Sequence, residues 1–314
     1  MATDYKLVGM ATKLELMLEE SVQKTIQHIE GKYAVLLSGG VDSGLLASLS
    51  FPEVALTCRF PYGKKYDEFE YAKKTAKYLK LKQEVITVTK KDFFKYLPNA
   101  LKAYKPTRHF SLVPLYMLFK KANDMGIKTV ISAEGPDEYL GGYSAYSFIT
   151  HEQELYKKEE LKNYHPALDK YLGSPMERFA RVLGKEPKQL KPYWGKYKNL
   201  LSKMGYCDLK LRGIEDMELA IAKHFGITLL YPFMTKKVEE FCFKEVPDEM
   251  KIQGMTTKYI ERMVAAKYIP RSVAWRKNKM GGPVAPIGRW LGEKDEFAKT
   301  KYLQLQNKLW KKYR

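Results

Sequence analysis

Short runs of apolar and β-branched residues alternate with segments of helical periodicity over roughly the first 150 residues of the chain. The runs lie at residues 33–37, 54–58, 84–88 and 129–132, and their composition is typical of strands in a sheet covered on both faces. Helical segments lie between them at about residues 66–79, 92–104 and 112–125. An amphipathic helix precedes the first run and ends before Gly31, with apolar positions at Leu14, Leu16, Met17, Val22, Ile26 and Ile29.

This alternation predicts an α/β fold with a parallel sheet and helices on both faces. Beyond His151 the strand-like runs stop, and the remaining sequence predicts helices that prolines interrupt. We therefore expect an α/β core over about residues 30–150. A helical C-terminal part over about residues 151–314 is expected to pack over the active-site edge of that core.

The formal net charge is +19, from 55 basic and 36 acidic residues. A basic surface attracts phosphate backbones, so RNA such as tRNA is one candidate partner. The alternative is a lysine-rich solvated surface with ion-pair networks, as in thermophilic proteins. The basic residues are spread along the chain rather than gathered in one tract, which favours the second interpretation.

The remaining composition excludes several classes of protein. Cys58, Cys207 and Cys242 are scattered, so neither a disulfide framework nor a zinc site is indicated. No apolar run approaches the length of a transmembrane helix, and the first residues lack the basic start and apolar core of a signal peptide. We expect a cytoplasmic protein without a membrane segment.

The first strand-like run leads directly into a glycine-rich loop, Ser38-Gly39-Gly40-Val41-Asp42-Ser43, and a helical pattern follows. The glycines let the backbone approach an anion, and the N–H groups at the start of a helix point at it. The hydroxyls of Ser38 and Ser43 add donors. Asp42 would repel phosphate unless a cation lay between them, so it suggests Mg²⁺. The loop lacks the Gly-Lys-Ser/Thr ending of a Walker motif.

This loop resembles the S-G-G-x-D-S signature of the PP-loop ATP pyrophosphatases, the adenine nucleotide alpha hydrolase-like proteins. The family includes asparagine, argininosuccinate, NAD and GMP synthetases and tRNA-thiolating enzymes, and its members cleave ATP to AMP and pyrophosphate. The resemblance implies that ATP and Mg²⁺ bind here. It assigns the ATP site to Leu37, Ser38, Gly39, Gly40, Val41, Asp42, Ser43 and Thr57.

A second loop follows the strand-like run at 129–132 and reads Ser132-Ala133-Glu134-Gly135-Pro136-Asp137-Glu138-Tyr139-Leu140-Gly141-Gly142-Tyr143. Loops at the carboxyl ends of parallel strands bind ligands, so this loop can face the first one. It resembles the S-G-E-G-S-D-E-x-F-G-G-Y loop of class B asparagine synthetases. The resemblance implies that Asp137 holds Mg²⁺ together with Asp42, and that Ser132, Ala133 and Gly135 line the nucleotide site.

The same resemblance supplies candidate catalytic residues. The related β-lactam synthetases carry Tyr at the position of Glu134, and a carboxylate there can accept a proton from an attacking ammonia or amine. Residues 258–262 resemble the family's K-x-x-L-R helix, which implies that Lys258 reaches the reacting phosphate and acyl oxygens. Residues 268–281 resemble the family's L-P-x-x-I/V-x-x-R-x-K-x-G segment, which implies that Arg276 and Lys279 bind ATP or pyrophosphate.

Two departures from the family concern its other substrates. Class B asparagine synthetases begin with a glutaminase domain, whereas this chain reaches the phosphate loop within 40 residues of Met1. We therefore expect free ammonia, another amine or a separate amidotransferase subunit as the nitrogen source. The family's Thr-Thr-x-Arg aspartate segment reads Thr107-Arg108-His109-Phe110, and its E-x-R-x-P-F-L-D segment, at residues 228–235, loses all three charges.

Phe cannot replace an arginine that binds a carboxylate by two hydrogen bonds. Arg108 is the candidate replacement, with Thr107 and Glu138 as further acceptor contacts. If Arg108 does not take that role, the acceptor is not aspartate.

The leading hypothesis is an ATP-dependent amide ligase that forms AMP and pyrophosphate. It adenylates a carboxylate, with aspartate as one candidate, for attack by ammonia or an amine. The runner-up is a PP-loop enzyme that adenylates a tRNA nucleoside, although the cysteines lack the arrangement of thiolating enzymes. A third hypothesis is a non-catalytic nucleotide sensor. A sensor would not need metal-binding and transfer residues, so the presence of Asp42, Asp137 and Lys258 argues against it. A homodimer is compatible with all three.

Overall fold

The computed structural model describes residues 2–63, 66–156, 173–211, 214–277 and 284–312. Its strands are β1 (Tyr33–Leu36), β2 (Val54–Arg59), β3 (Lys82–Thr87), β4 (Thr129–Ile131) and β5 (Thr228–Leu230). They form one sheet in the order β3-β2-β1-β4-β5, and every neighbouring pair is parallel. The α/β fold with a parallel sheet is confirmed.

Helices precede, connect and follow the strands. In chain order they are α1 (Ala2–Ile26), α2 (Val41–Ser50), α3 (Phe69–Tyr78), α4 (Lys90–Ala103), α5 (Leu112–Asp124), α6 (Pro136–Tyr139), α7 (Ser144–Tyr156), α8 (Pro175–Leu183), α9 (Pro187–Trp194), α10 (Leu200–Leu211), α11 (Ile214–His224), α12 (Lys236–Lys244), α13 (Asp248–Lys251), α14 (Tyr259–Ala265), α15 (Arg271–Ala274), α16 (Ile287–Leu291) and α17 (Asp295–Trp310). Within the described ranges, no helix combines the length and the apolar character needed to cross a bilayer.

The strand order reverses at β1. Connections from β1 to β2 and from β2 to β3 run towards one edge of the sheet, whereas β4 and β5 lie on the other side of β1. Parallel crossovers are right-handed, so α2 and α3 cover one face and α4, α5 and α11 the other. The carboxyl ends of β1 and β4 therefore flank the switch point, which is where open parallel sheets bind ligands.

The chain folds into two compact units that are not contiguous in sequence. The sheet unit comprises residues 22–133, 214–232 and 265–314, and the helical unit comprises residues 1–21, 134–213 and 233–264. The sheet unit has a large apolar core in which Phe93, Trp290 and Tyr302 pack as an aromatic group. The helical unit has its own core around Tyr146, Phe179 and Met204.

Strands β1 to β4 lie where the sequence predicts them, with ends that differ by two residues or fewer. The expectation that strands stop before His151 is wrong, because β5 pairs with β4 in parallel with Ile131 opposite Leu230. This strand has three residues, Thr228–Leu230, which is too short to show a period of two. Its conformation depends on the hydrogen bonds that β4 offers, and those do not appear in the local sequence.

Candidate active site

The loop after β1 has the geometry of an anion site. Gly40 is the N-cap of α2 and has an extended backbone, and as a glycine it provides no side-chain cap for the helix. The first N–H groups of a helix have no intrahelical acceptor and favour a negative charge. Gly39 has φ +86°, and a Cβ there would lie 2.8 Å from both Ala72 N and Glu68 O. Only glycine fits at this position.

Serine hydroxyls hold the loop in shape. Ser38 Oγ and Ser43 Oγ lie 3.1 Å apart, and the backbone N–H of Ser38 donates to Ser43 Oγ at 3.2 Å. The N–H of Gly40 donates to Ser38 Oγ, also at 3.2 Å. Asp42 is buried in the first turn of α2, with 8% of its surface exposed. A pre-formed loop of this kind can bind phosphate without reorganising first.

The neighbouring candidates of the sheet unit lie at the same edge of the sheet. Leu37 follows β1, and its N–H donates to the carbonyl of Leu56 at 2.9 Å. Ser132 follows β4, and its N–H donates to the carbonyl of Leu230 at 3.0 Å. The buried Thr57 hydroxyl donates to the Leu37 carbonyl at 3.0 Å and accepts from Gln83 at 2.8 Å. Thr57 thus ties β2 to the residue where the phosphate loop begins, and Ala133 continues the chain from Ser132.

Arg276 contacts Glu68 and Tyr71, whose carbonyl oxygen and Cβ would lie 2.8 Å and 3.2 Å from a Cβ added at Gly39. Its guanidinium donates to Glu68 Oε1, and its Cζ lies 4.7 Å from the centre of the Tyr71 ring. Arg276 is 7% exposed. Arg276, which the sequence predicts to bind phosphate, therefore lies beside the residues that pack against the phosphate loop. Lys279 lies outside the described residues.

In the helical unit, Asp137 and Lys258 form an ion pair. Lys258 Nζ lies 2.5 Å from Asp137 Oδ1, and the lysine side chain is 1% exposed. A Cβ added at Gly142 would lie 1.8 Å from Asp137 Oδ1 and 2.2 Å from Lys258 Cε. Gly142 therefore leaves the space that the pair occupies, and its N–H donates to the Asp137 carbonyl at 2.7 Å.

The other candidates of the second loop surround α6. Gly135 is the N-cap of α6 with φ +105°, and an added Cβ would lie 2.9 Å from the Tyr139 ring. Glu134 precedes it and is partly buried. Glu138 is 7% exposed, and its Oε1 accepts a hydrogen bond of 2.7 Å from the Tyr143 hydroxyl. The Glu138 carboxylate therefore has a partner within its own loop.

The candidate acceptor segment of the sheet unit is attached to α17. Gln306 Nε2 donates to the Thr107 carbonyl at 2.7 Å, and the Thr107 N–H donates to Gln306 Oε1 at 3.1 Å. Arg108 is exposed. Phe110 is 9% exposed and packs edge-on against Tyr302 at 5.6 Å. The residue at the family's arginine position is therefore a core residue.

The three thiols are unsuited to nucleophilic chemistry. Burial raises the pKa of Cys58, Cys207 and Cys242, in the last two to about 12. Since the thiolate is the reactive form, these cysteines are inert at neutral pH. No group of three or more His, Cys, Asp or Glu residues suited to a metal ion occurs among the residues described.

A doubly wound parallel sheet with a glycine–serine phosphate loop at its switch point defines the class: an α/β protein with a phosphate-binding loop. Within that class, the chain belongs to the asparagine synthase family, which it matches over residues 13–309.

Known relatives are similar over different shares of the chain. The glutamine-hydrolyzing asparagine synthetase 1 of Bacillus subtilis is 26% identical over 314 residues, which covers 84% of this chain and 48% of that protein. The putative glutamine-hydrolyzing asparagine synthetase 1 of Methanocaldococcus jannaschii is 32% identical over 160 residues, covering 48% of this chain and 29% of that protein. The chain thus spans less than half the length of these relatives.

Among solved structures, the NH3-dependent NAD synthetase of Campylobacter jejuni is 16% identical with a TM-score of 0.34, covering 65% of this chain and 95% of that one.

Sequence reasoning missed Glu68 and Tyr71, the contacts of Arg276. The Glu68–Arg276 bond joins positions 208 residues apart, so no local pattern reveals it. It also missed Gly142 as the residue that makes room for the Asp137–Lys258 pair. The paired glycines of the second loop were a signal, although a sequence alone does not say what they lie against.

Proposed function

We propose that the chain is an ATP-dependent amide ligase that forms AMP and pyrophosphate. The observation that carries the proposal is the pre-formed phosphate loop of residues 38–43, with its uncapped helix N-terminus, in a member of the asparagine synthase family. The similar proteins of B. subtilis and M. jannaschii are named as asparagine synthetases, which supports a carboxylate acceptor. The proposal also places the enzyme in the cytoplasm, where ATP and amino acids are available.

The first chemical step adenylates the acceptor. A carboxylate oxygen attacks the α-phosphorus of ATP, the bond to the bridging β-phosphate oxygen breaks, and pyrophosphate leaves with the electron pair. The N–H groups that begin α2 and the hydroxyls of Ser38 and Ser43 bind the phosphates. Arg276 adds a positive charge beside the loop.

The second step forms the amide. Ammonia or an amine, free or delivered by a separate amidotransferase subunit, attacks the acyl carbon, and AMP leaves. Glu134 accepts the proton that the nitrogen loses. Lys258 stabilises the oxyanion, and its ion pair with Asp137 orients the ammonium.

Asp42 and Asp137 are the proposed ligands of Mg²⁺. A buried carboxylate in the first turn of α2 would repel the phosphates that the same loop binds, unless a cation lay between them. Mg²⁺ binds one or two carboxylates together with substrate phosphates, so these donors fit it. When bound, the ion neutralises charge on the departing pyrophosphate.

The acceptor contacts are proposed to be Thr107 and Arg108, with Glu138 as a further candidate. Phe110 packs in the core against Tyr302, so it offers no group for a carboxylate. Arg108 is exposed and can pair with one. The acceptor is accordingly a carboxylate whose contacts differ from those of the family's aspartate segment.

The test measures products rather than ATP loss alone. The purified chain is mixed with ATP, Mg²⁺, ammonium and a panel of amino acids, and AMP, pyrophosphate and the new amide are quantified by mass. Equal amounts of all three with one carboxylate support the proposal, and Asp42→Asn should abolish them. ADP and phosphate as products would refute it. Turnover with bulk tRNA and no free carboxylate would support RNA modification instead.

A further inference from the structure

We infer that Glu68 and Tyr71 are positioning residues that hold Arg276 against the phosphate loop, so that its guanidinium binds the pyrophosphate part of ATP. This inference rests on the proposed function and adds to it two side chains outside the motifs. It depends on contacts within the sheet unit only.

Glu68 and Tyr71 form the wall of the phosphate loop beside Gly39. A Cβ at Gly39 would lie 2.8 Å from Glu68 O and 3.2 Å from Tyr71 Cβ. Glu68 is the N-cap of α3, so the start of that helix lies directly against the phosphate loop. The position of the wall relative to the loop is therefore fixed by close backbone contact.

The same two residues hold the Arg276 guanidinium from two directions. The Glu68 carboxylate accepts a hydrogen bond from Arg276 Nη2, and the two side chains are only 10% and 3% exposed. The Tyr71 ring lies under the guanidinium, with Cζ 4.7 Å from its centre. A carboxylate and an aromatic ring together restrict both the position and the plane of a guanidinium.

The segment before Arg276 is packed, through Ile269, on α2, the helix that follows the loop. A Cβ added at Gly44, in α2, would lie 3.0 Å from Ile269 Cδ1. The segment that leads into α15 and Arg276 therefore lies against α2. The guanidinium is thus held by Glu68 and Tyr71, and the segment before it is held on the helix that the phosphate loop begins.

The negative charge of Glu68 makes it possible to distinguish a positioning role from a purely electrostatic one, because the two roles predict opposite changes in phosphate affinity. A carboxylate near an anion site repels the anion, so removing its charge should strengthen phosphate binding if charge alone mattered. If Glu68 instead positions Arg276, Glu68→Gln should weaken binding, because the amide holds the guanidinium less firmly. The two effects predict opposite directions.

The neighbouring carboxylate provides a matched control. Asp67 bonds to Arg59, with Nε and Oδ2 3.3 Å apart, and to the backbone N–H groups of Phe60 and Phe69. Asp67→Asn removes the same charge one residue away but leaves the contacts of Arg276 in place. Tyr71→Phe keeps the ring under the guanidinium, whereas Tyr71→Leu removes it.

The experiment titrates magnesium pyrophosphate, and separately ATP, into the full-length chain by calorimetry. We expect Glu68→Gln and Tyr71→Leu to weaken pyrophosphate binding at least about tenfold, the effect of losing a hydrogen bond to a charged group. Asp67→Asn and Tyr71→Phe should bind as the wild type does. In an Arg276→Ala background, Glu68→Gln should have no further effect, because the residue it positions is gone.

Three outcomes would overturn the inference. Glu68→Gln could bind pyrophosphate as tightly as the wild type while only its thermal midpoint falls, which indicates a purely structural pair. It could weaken binding equally in the Arg276→Ala background, which indicates an independent role. Wild-type chain that binds neither ATP nor pyrophosphate would overturn the proposed function as well, so the two failures are distinguishable.

Discussion

The Lys258 ammonium lies 2.5 Å from Asp137 Oδ1, and both side chains pack directly on Gly142. Lys258 has φ +53°, a left-handed conformation that disfavours most residues with a side chain by about 1–2 kcal/mol. It stands immediately before α14, and its carbonyl accepts the N–H of Arg262 at 2.9 Å. The strained turn therefore orients a lysine whose ammonium is held by a carboxylate of the second loop.

Gly142→Ala should strongly reduce turnover while the fold survives. The added Cβ would overlap Asp137 Oδ1 and Lys258 Cε, so the pair must separate. We expect the rate of pyrophosphate release to fall at least about 100-fold, as when a group that stabilises the transition state is displaced. Gly195→Ala is the control, because a Cβ there meets nothing within 4 Å. Normal turnover in Gly142→Ala would show that the pair is dispensable.

Gly39→Ala should lose phosphate binding. The substitution combines a positive φ with contacts of 2.8 Å to two backbone atoms, which cannot move as a flexible side chain can. Strain alone costs about 1–3 kcal/mol at such a position. Gly63→Ala, with φ +92° and open space around it, controls for strain without overlap. Calorimetric titration with ATP should show weaker binding for Gly39→Ala than for Gly63→Ala. Equal affinities of the two variants would contradict the role of Gly39.

The sequence was sufficient to predict those features that depend on a continuous stretch of residues. β1, the phosphate loop and α2 form one continuous strand–loop–helix signal, and the structure confirms their succession. Asp137 and Lys258 were both singled out by resemblance, but as a metal ligand and a catalytic cation rather than as partners in an ion pair. Contacts between distant positions, such as Glu68 with Arg276, depend on how the chain returns to the sheet, which no window of residues contains.

Phe110→Arg should destabilise the protein rather than restore an aspartate site. Phe110 packs against Tyr302 in the core of the sheet unit, so an arginine there would bury a charge in apolar surroundings. We expect the free energy of unfolding to fall by on the order of 3 kcal/mol, measured by urea denaturation. Arg108→Ala, at an exposed position, should leave stability unchanged but raise the KM for the carboxylate. A stable Phe110→Arg variant that gains aspartate turnover would refute this reading.

Lys251→Met should remove a pH dependence of stability in the helical unit. Lys251 is fully buried, its Nζ donates to Ser202 Oγ at 2.8 Å, and burial lowers the pKa of its ammonium. Burial also raises the pKa of the neighbouring Asp248, while that of Cys242 lies at about 12.

Between the lowered pKa of folded Lys251 and its ordinary value in the unfolded chain, the unfolded chain binds more protons, so stability rises with pH. Urea unfolding at pH 7 and pH 9.5 should show the wild type gaining stability relative to Lys251→Met as the pH rises. Asp248→Asn should keep the sign of that difference, because burial, the main cause of the lowered pKa of Lys251, does not depend on the Asp248 carboxylate. Parallel pH profiles for the wild type and Lys251→Met would show that Lys251 is charged in the folded protein throughout this range.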